Sequence, residues 1–172
     1  MPFWSEPTSS PKLSFRWYAS FGVGPYAINT YCLRSFQKPS FEIVQSEYIW
    51  LNDINYKPGL LAWNPVEITV SDMENKDDNN TWKLYNILKR SGYQDATVTK
   101  PRAAFEKKQF SRALGGQMKL TQINADGEAI EEWTLINPFL IGVNFGQANY
   151  GAEEIITLSL SIRYDYAQHS LI

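Results

Sequence analysis

Histidine and cysteine are nearly missing from this chain, with His169 and Cys32 the only examples. A lone thiol rules out an internal disulfide framework and a cysteine-based zinc site. A lone histidine near the chain end speaks against a Ser-His-Asp set or a histidine metal centre. His169 reads as a solvated tail residue. Cys32 sits in an apolar strand pattern and reads as a small core side chain. No window holds about eighteen apolar residues, so no membrane-spanning helix and no membrane anchor are expected. Residues 1–12 lack the apolar run of a signal peptide. Formal net charge is -2, without the basic excess that marks a nucleic-acid binder.

Chemical motifs are equally scarce. The acidic stretch Asp72, Glu74, Asp77, Asp78 lacks the alternating ligands, central glycine and closing glutamate of a calcium loop. Compensation of a helix dipole explains it better. Glu131-Glu132 and Glu153-Glu154 are adjacent pairs, and neighbours on a strand point to opposite faces. They read as solvated strand ends and not as catalytic carboxylates. Gly142, Gly146 and Gly151 precede a strand, whereas a phosphate-binding loop opens a helix. No catalytic set, metal site or cofactor is expected, and an enzyme is the weakest reading.

What is present is β pattern. Of the 172 residues 44% are apolar and 15% aromatic, which suits one strand-rich domain. The clearest segment lies near the end. Ile156, Leu158, Leu160, Ile162, Tyr164 and Tyr166 alternate with Thr157, Ser159, Ser161, Arg163 and Asp165. A repeat of two predicts one long strand with a greasy face and a hydroxyl-rich face. Further strands are expected over 13–17, 27–36, 40–51, 66–70, 117–124, 128–136 and 139–145. The first two would form a hairpin around Gly22, Gly24 and Pro25. Residues 55–59, with Pro58, read as a loop. Asp126-Gly127 marks a tight turn that needs positive φ.

One helix is predicted, over about residues 80–91. Trp82, Leu84, Tyr85 and Leu88 recur at three- and four-residue steps, Asn or Thr caps the start, and Gly92 stops it. Residues 95–114 read as a basic, irregular stretch in which Ala103, Ala104, Phe105 and Phe110 interrupt the charges. That mixture fits a protein surface better than a phosphate backbone. Residues 1–12 read as a flexible arm, and 13–172 as a single domain. Phe3 and Trp4 are unusual in an arm and point to docking, on its own domain or on a neighbour.

The C-terminal third resembles the tail tube proteins of contractile-tailed (myovirus) bacteriophages. The resemblance is carried by Trp133-Thr-Leu-Ile-Asn-Pro-Phe139, by Asn144-Phe-Gly-Gln-Ala-Asn-Tyr-Gly151, and by Glu154 through Tyr166. The strand at 66–70, the acidic stretch and the helix at 80–91 fall in matching order, over roughly residues 13–167. The resemblance implies a mainly β protomer, an antiparallel β-sandwich or half-barrel with one inserted helix. It implies a structural virion protein, assembled in the host cytoplasm, that forms stacked hexameric rings. These rings would make the inner tube that conducts DNA, with sheath, baseplate and terminator proteins as partners. Phage DNA would pass non-specifically through the lumen.

Site expectations follow from that resemblance and from the strand pattern. Thr157, Ser159, Ser161, Arg163 and Asp165 are expected to face the lumen, with the last two offsetting each other. Phe3, Trp4, Lys100, Arg102, Phe105, Lys107, Lys108, Phe110 and Arg112 are expected at contacts between subunits or rings. A tail terminator or connector ring of the same fold is the near alternative. A carbohydrate-binding β-sandwich, with Trp17, Trp50, Trp63 and Trp133 as a stacking platform, is the alternative from another class.

Overall fold

The computed structural model describes residues 12–95, 97, 105–151 and 153–172. In chain order the strands begin with β1 (Trp17–Ser20), β2 (Leu33–Phe36), β3 (Phe41–Trp50), β4 (Asp53–Trp63) and β5 (Val66–Ser71). Helices α1 (Asn80–Arg90) and α2 (Lys107–Ala113) follow. The remaining strands are β6 (Gln117–Ile123), β7 (Ala129–Ile136), β8 (Phe139–Asn144), β9 (Thr157–Arg163) and β10 (Tyr166–Leu171). All pairings among them are antiparallel.

They form two four-stranded sheets and a separate hairpin. The first sheet has the order β1-β6-β7-β10, the second β2-β5-β9-β8, and among the described residues β3 pairs only with β4. The second sheet contributes Val66, Ile68, Val70, Leu158, Leu160 and Ile162 to the core; the first contributes Ala19, Met118, Leu120 and Leu135. Each such aliphatic side chain, fully buried, stabilises the fold by about 1.5–3 kcal/mol. Leu84 and Ile87 of α1 and Phe110 of α2 join the same core. The fold is a mainly β antiparallel sandwich, as the alternation predicts.

Several local expectations are corrected. The expected single strand from Ile156 to Tyr166 is two strands in two sheets. β9 ends at Arg163, and Asp165 N–H donates to Ile136 O (3.0 Å), carrying the chain across into the first sheet. β10 then pairs with β7, so His169, expected in a tail, is a strand residue that stays exposed, its ring tilted 53° against Trp133 at 4.7 Å. Leu158, Leu160, Ile162 and Tyr164 are buried, whereas Ile156 and Tyr166, at the ends of the predicted greasy face, are exposed.

The expected hairpin of residues 13–17 and 27–36 does not form. β1 pairs with β6 and β2 with β5, in different sheets, and short 3-10 turns fill Gly24–Tyr26 and Thr30–Cys32. Cys32 is buried in the core. The expected loop at 55–59 is strand. Pro58 is tolerated because a two-stranded hairpin has only edge strands, so the missing N–H breaks no inner ladder.

There are two helices among the described residues, not one. Phe110, Ala113 and Leu114 lie three and four apart and face the core, a short apolar stripe hidden among lysines and arginines. α1 starts where predicted. Asn79 Oδ1 accepts the Trp82 N–H at 2.7 Å. Asp72, eight residues upstream, accepts the Asn80 and Thr81 N–H groups at 3.0 and 3.2 Å. The acidic stretch thus caps the helix by direct bonds as well as through the dipole.

Candidate assembly surfaces

The solvent face of the second sheet is built by pleat. Leu158, Leu160 and Ile162 point into the core, so Thr157, Ser159, Ser161 and Arg163 must point away. Register extends this face across the sheet. Ser159 lies opposite Thr69 and Asn144, Ser161 opposite Glu67 and Gly142, and Ser35 opposite Thr69. Glu67, Thr69, Gly142, Asn144, Ser159 and Ser161 line one shallow groove of about 340 Å³. The result is a surface of hydroxyls and an amide with the Glu67 carboxylate, the Arg163 guanidinium and, at the β2 edge, Arg34, whose Nε donates to Ser71 Oγ at 2.5 Å. Sequence reasoning missed Ser35, Glu67, Thr69 and Asn144. Strands β2, β5 and β8 are short, and only their pairing with β9 brings these residues together.

Asp165 does not belong to this face. It lies in the crossing between sheets, where Lys107 Nζ and Asn137 Nδ2 donate to its carboxylate. The ammonium of Lys107, and then the Asn137 amide, hold its carboxyl below the usual range. The expected offset between Arg163 and Asp165 is replaced by the Lys107–Asp165 pair.

The other expected contact residues divide. Phe3, Trp4, Lys100 and Arg102 lie outside the described residues. Phe110 is buried in the core and is removed from the contact set, because helix α2 turns it inward. Phe105 is exposed and packs on the Phe110 ring at 5.4 Å. Lys107, Lys108 and Arg112 lie on the exposed side of α2.

The largest unexpected surface is the hairpin β3–β4. Every residue of β3 is exposed, and so is every residue of β4 except the half-buried Asn55 and Trp63. Its base is tied down by an aromatic chain, Phe41 on Trp63 at 5.5 Å and Trp63 on Tyr164 at 6.0 Å. Beyond the base, Ile43 faces Leu61 and Ile49 faces Ile54 across the strands, all exposed. Such a pair of strands alone is marginally stable in water. An apolar patch of this extent marks an interaction surface.

The four tryptophans of the glycan alternative do not form a free platform. Trp17 packs on Phe36 at 4.3 Å, Trp63 on Phe41 and Tyr164, and Trp133 on His169. Trp50 alone of the four is fully open, at the hairpin end. Among the described residues no group of three or more His, Cys, Asp or Glu side chains gathers as a metal site. No helix among them is long and apolar enough to cross a membrane.

Neither a family model nor a curated protein matches this chain. Solved structures do. A chain from the cryo-EM structure of the anti-feeding prophage (AFP) baseplate has a TM-score of 0.67 at 14% identity, over 94% of this chain and 97% of that one. A chain from the AFP tube terminating cap has a TM-score of 0.66 at 12% identity, over 100% of both. A chain from the PVC sheath-tube complex of an extracellular contractile injection system has a TM-score of 0.65 at 13% identity, over 96% of this chain and 95% of that one. The protein therefore has the fold of contractile tail tube-type proteins. At these identities the likeness is one of fold.

Proposed function

We propose that the protein is a structural subunit of stacked hexameric rings, forming the inner tube of a contractile tail and conducting DNA during ejection. The observation that carries this reading is the second sheet. Its two edge strands, β2 and β8, run in opposite directions, because four antiparallel strands lie in the order β2-β5-β9-β8. A copy related by rotation about a ring axis brings its β2 beside β8 in antiparallel sense. Identical head-to-tail contacts of that kind close into rings and cover edges that otherwise invite aggregation. The face away from the core then becomes the wall of the hole. Its hydroxyls and its few charges, Glu67 with Arg163 and the edge Arg34, give passing phosphates little to hold, whereas a lysine-lined wall would bind them in a salt-dependent way.

Sheath, baseplate and terminator proteins are the partners this role requires, and the phage tail its location. Chains described as belonging to a sheath-tube complex, a baseplate and a tube terminating cap share the fold. A single terminator ring is the second reading, favoured by the likeness to the cap, which spans the whole of both chains.

Electron microscopy of the purified protein tests the proposal. Six-membered rings that stack into tubes at high concentration are the expected result. A particle that stays monomeric at millimolar concentration overturns it, and rings that never stack, even with an initiating baseplate ring added, favour the terminator.

A further inference from the structure

Two buried polar side chains stand side by side near the start of β7. Glu131 of β7 lies directly opposite Gln122 of β6, so the two share one face of the first sheet. Gln122 Nε2 donates to the carbonyls of Leu13 and Arg16, at 2.8 and 2.5 Å. Glu131 accepts from Lys12 Nζ on Oε2 and from Lys38 Nζ on Oε1, the latter at 2.5 Å. The two lysines belong to segments far apart in the chain. Lys12 directly follows residues 1–11. Lys38 stands on the link from β2 to the hairpin, two residues before Ser40, whose carbonyl accepts the Asn64 N–H at 2.9 Å and closes the hairpin stem. We propose that Glu131 couples these two segments by competition: one carboxylate holds both lysines, and withdrawing either tightens its hold on the other.

Charge fixes the sign of the coupling. The carboxylate carries one negative charge and the two ammonium groups carry two positive ones, which repel each other when drawn to the same centre. Among the described residues Glu131 is the only carboxylate that pairs with either lysine. His169, with Nε2 3.7 Å from Oε2, brings no negative charge to relieve the repulsion.

Burial supplies the freedom to compete. The Glu131 side chain is 6% exposed and fixed in the sheet, whereas those of Lys12 and Lys38 are 51% and 48% exposed. Either lysine can swing its head into water, and Glu131 cannot follow. A partner that takes up residues 1–11 and draws Lys12 away would therefore firm the hairpin stem. One that pulls on the hairpin would firm the segment from Lys12 to Arg16. Linkage makes the two effects equal in size. A plain structural support would act the other way, since loss of one lysine would loosen both segments. The coupling holds whether or not the chain forms rings.

Hydrogen exchange at single amides of the full chain tests the competition. The N–H groups of Gln37, bonded to Glu67 O at 2.8 Å, and of Asn64 report the hairpin stem. Those of Arg16, bonded to Leu13 O at 3.2 Å, and of Ile123, bonded to Arg16 O at 3.0 Å, report the other segment. Lys12→Met should slow exchange at Gln37 and Asn64 about fivefold, the low end for coupled sites, because both ammonium groups are partly hydrated. Lys38→Met should slow Arg16 and Ile123 by the same factor. Both effects should shrink in about 1 M salt, which screens the repulsion. In a Glu131→Gln background neither lysine change should alter the other segment. Lys12→Arg and Lys38→Arg, which keep the charge, should leave the rates as they were. Faster or unchanged exchange in the second segment after loss of the first lysine overturns the competition. So does a coupling that persists undiminished at high salt or without the Glu131 carboxylate.

Discussion

Glu131 lies buried on the core face of β7 yet keeps its charge. Its side chain accepts from the ammonium groups of Lys12 and Lys38, and His169 Nε2 stands 3.7 Å away. Reading Glu131 as a solvated strand end fails because β10 covers that end of β7 and three segments converge there. The two lysine hydrogen bonds, Lys12 first, lower its pKa from 4.5 to about 2 against the opposing effect of burial. The carboxylate therefore stabilises the fold fully above pH 4.5, and its contribution falls away as pH drops toward about 2. Glu131→Gln should cost about 2 kcal/mol near neutral pH, the scale of hydrogen bonds to a charged group. Both lysines stay half exposed, so they rehydrate and the loss stays below that of a fully buried broken pair. Urea melts between neutral and acid pH check this. The gap between the two proteins should close as the pH falls, and parallel curves would contradict the assignment.

Among the elements, α1 has the most local specification. Its start is secured twice, by Asn79 at the cap and by Asp72, which also accepts the Thr81 hydroxyl at 2.7 Å. Its end is marked by Gly92 at φ +108, a backbone state that glycine adopts without cost. Asp72→Ala removes bonds to two N–H groups of the first turn and should lower stability by about 1–2 kcal/mol. Chemical denaturation measures it, and Asp72→Asn, which keeps an acceptor oxygen, should recover more than half. The hairpin β3–β4 is the opposite case. Its strands form by alternation and a two-residue turn in which Leu51 takes φ +55, but beyond the base its apolar side chains are exposed. Such an element is stable as part of an assembly and marginal apart from one.

At the scale of the whole molecule, the second sheet presents one polar outer face. The ring reading assigns that polar face to the tube wall. Ser159→Lys with Ser161→Lys tests it, because both side chains sit on the solvent side of β9 and neither contributes to the core. Rings should form normally, while DNA ejection slows at least several-fold and recovers as salt rises, since added lysines bind phosphates through counterion release. If instead the double variant cannot form rings, that face is packed against another subunit and the wall lies elsewhere.

The alternation in β9, the start and stop of α1, the Asp126-Gly127 turn with Gly127 at φ +83 and the burial of Cys32 were all legible in the residues themselves. Each follows from local geometry: the pleat sends neighbours to opposite faces, and caps and turns are settled within a few residues. The strand at Pro58, the helix under the basic stretch, the burial of Glu131 and the crossing at Asp165 were decided only by tertiary structure. They depend on partners far away in the chain, Lys12 with Glu131 or Lys107 with Asp165, whose contacts no local period encodes. Sequence therefore determined which faces are greasy and which are wet, and folding decided which strand stands beside which, because pairing energy is gained only when distant segments meet.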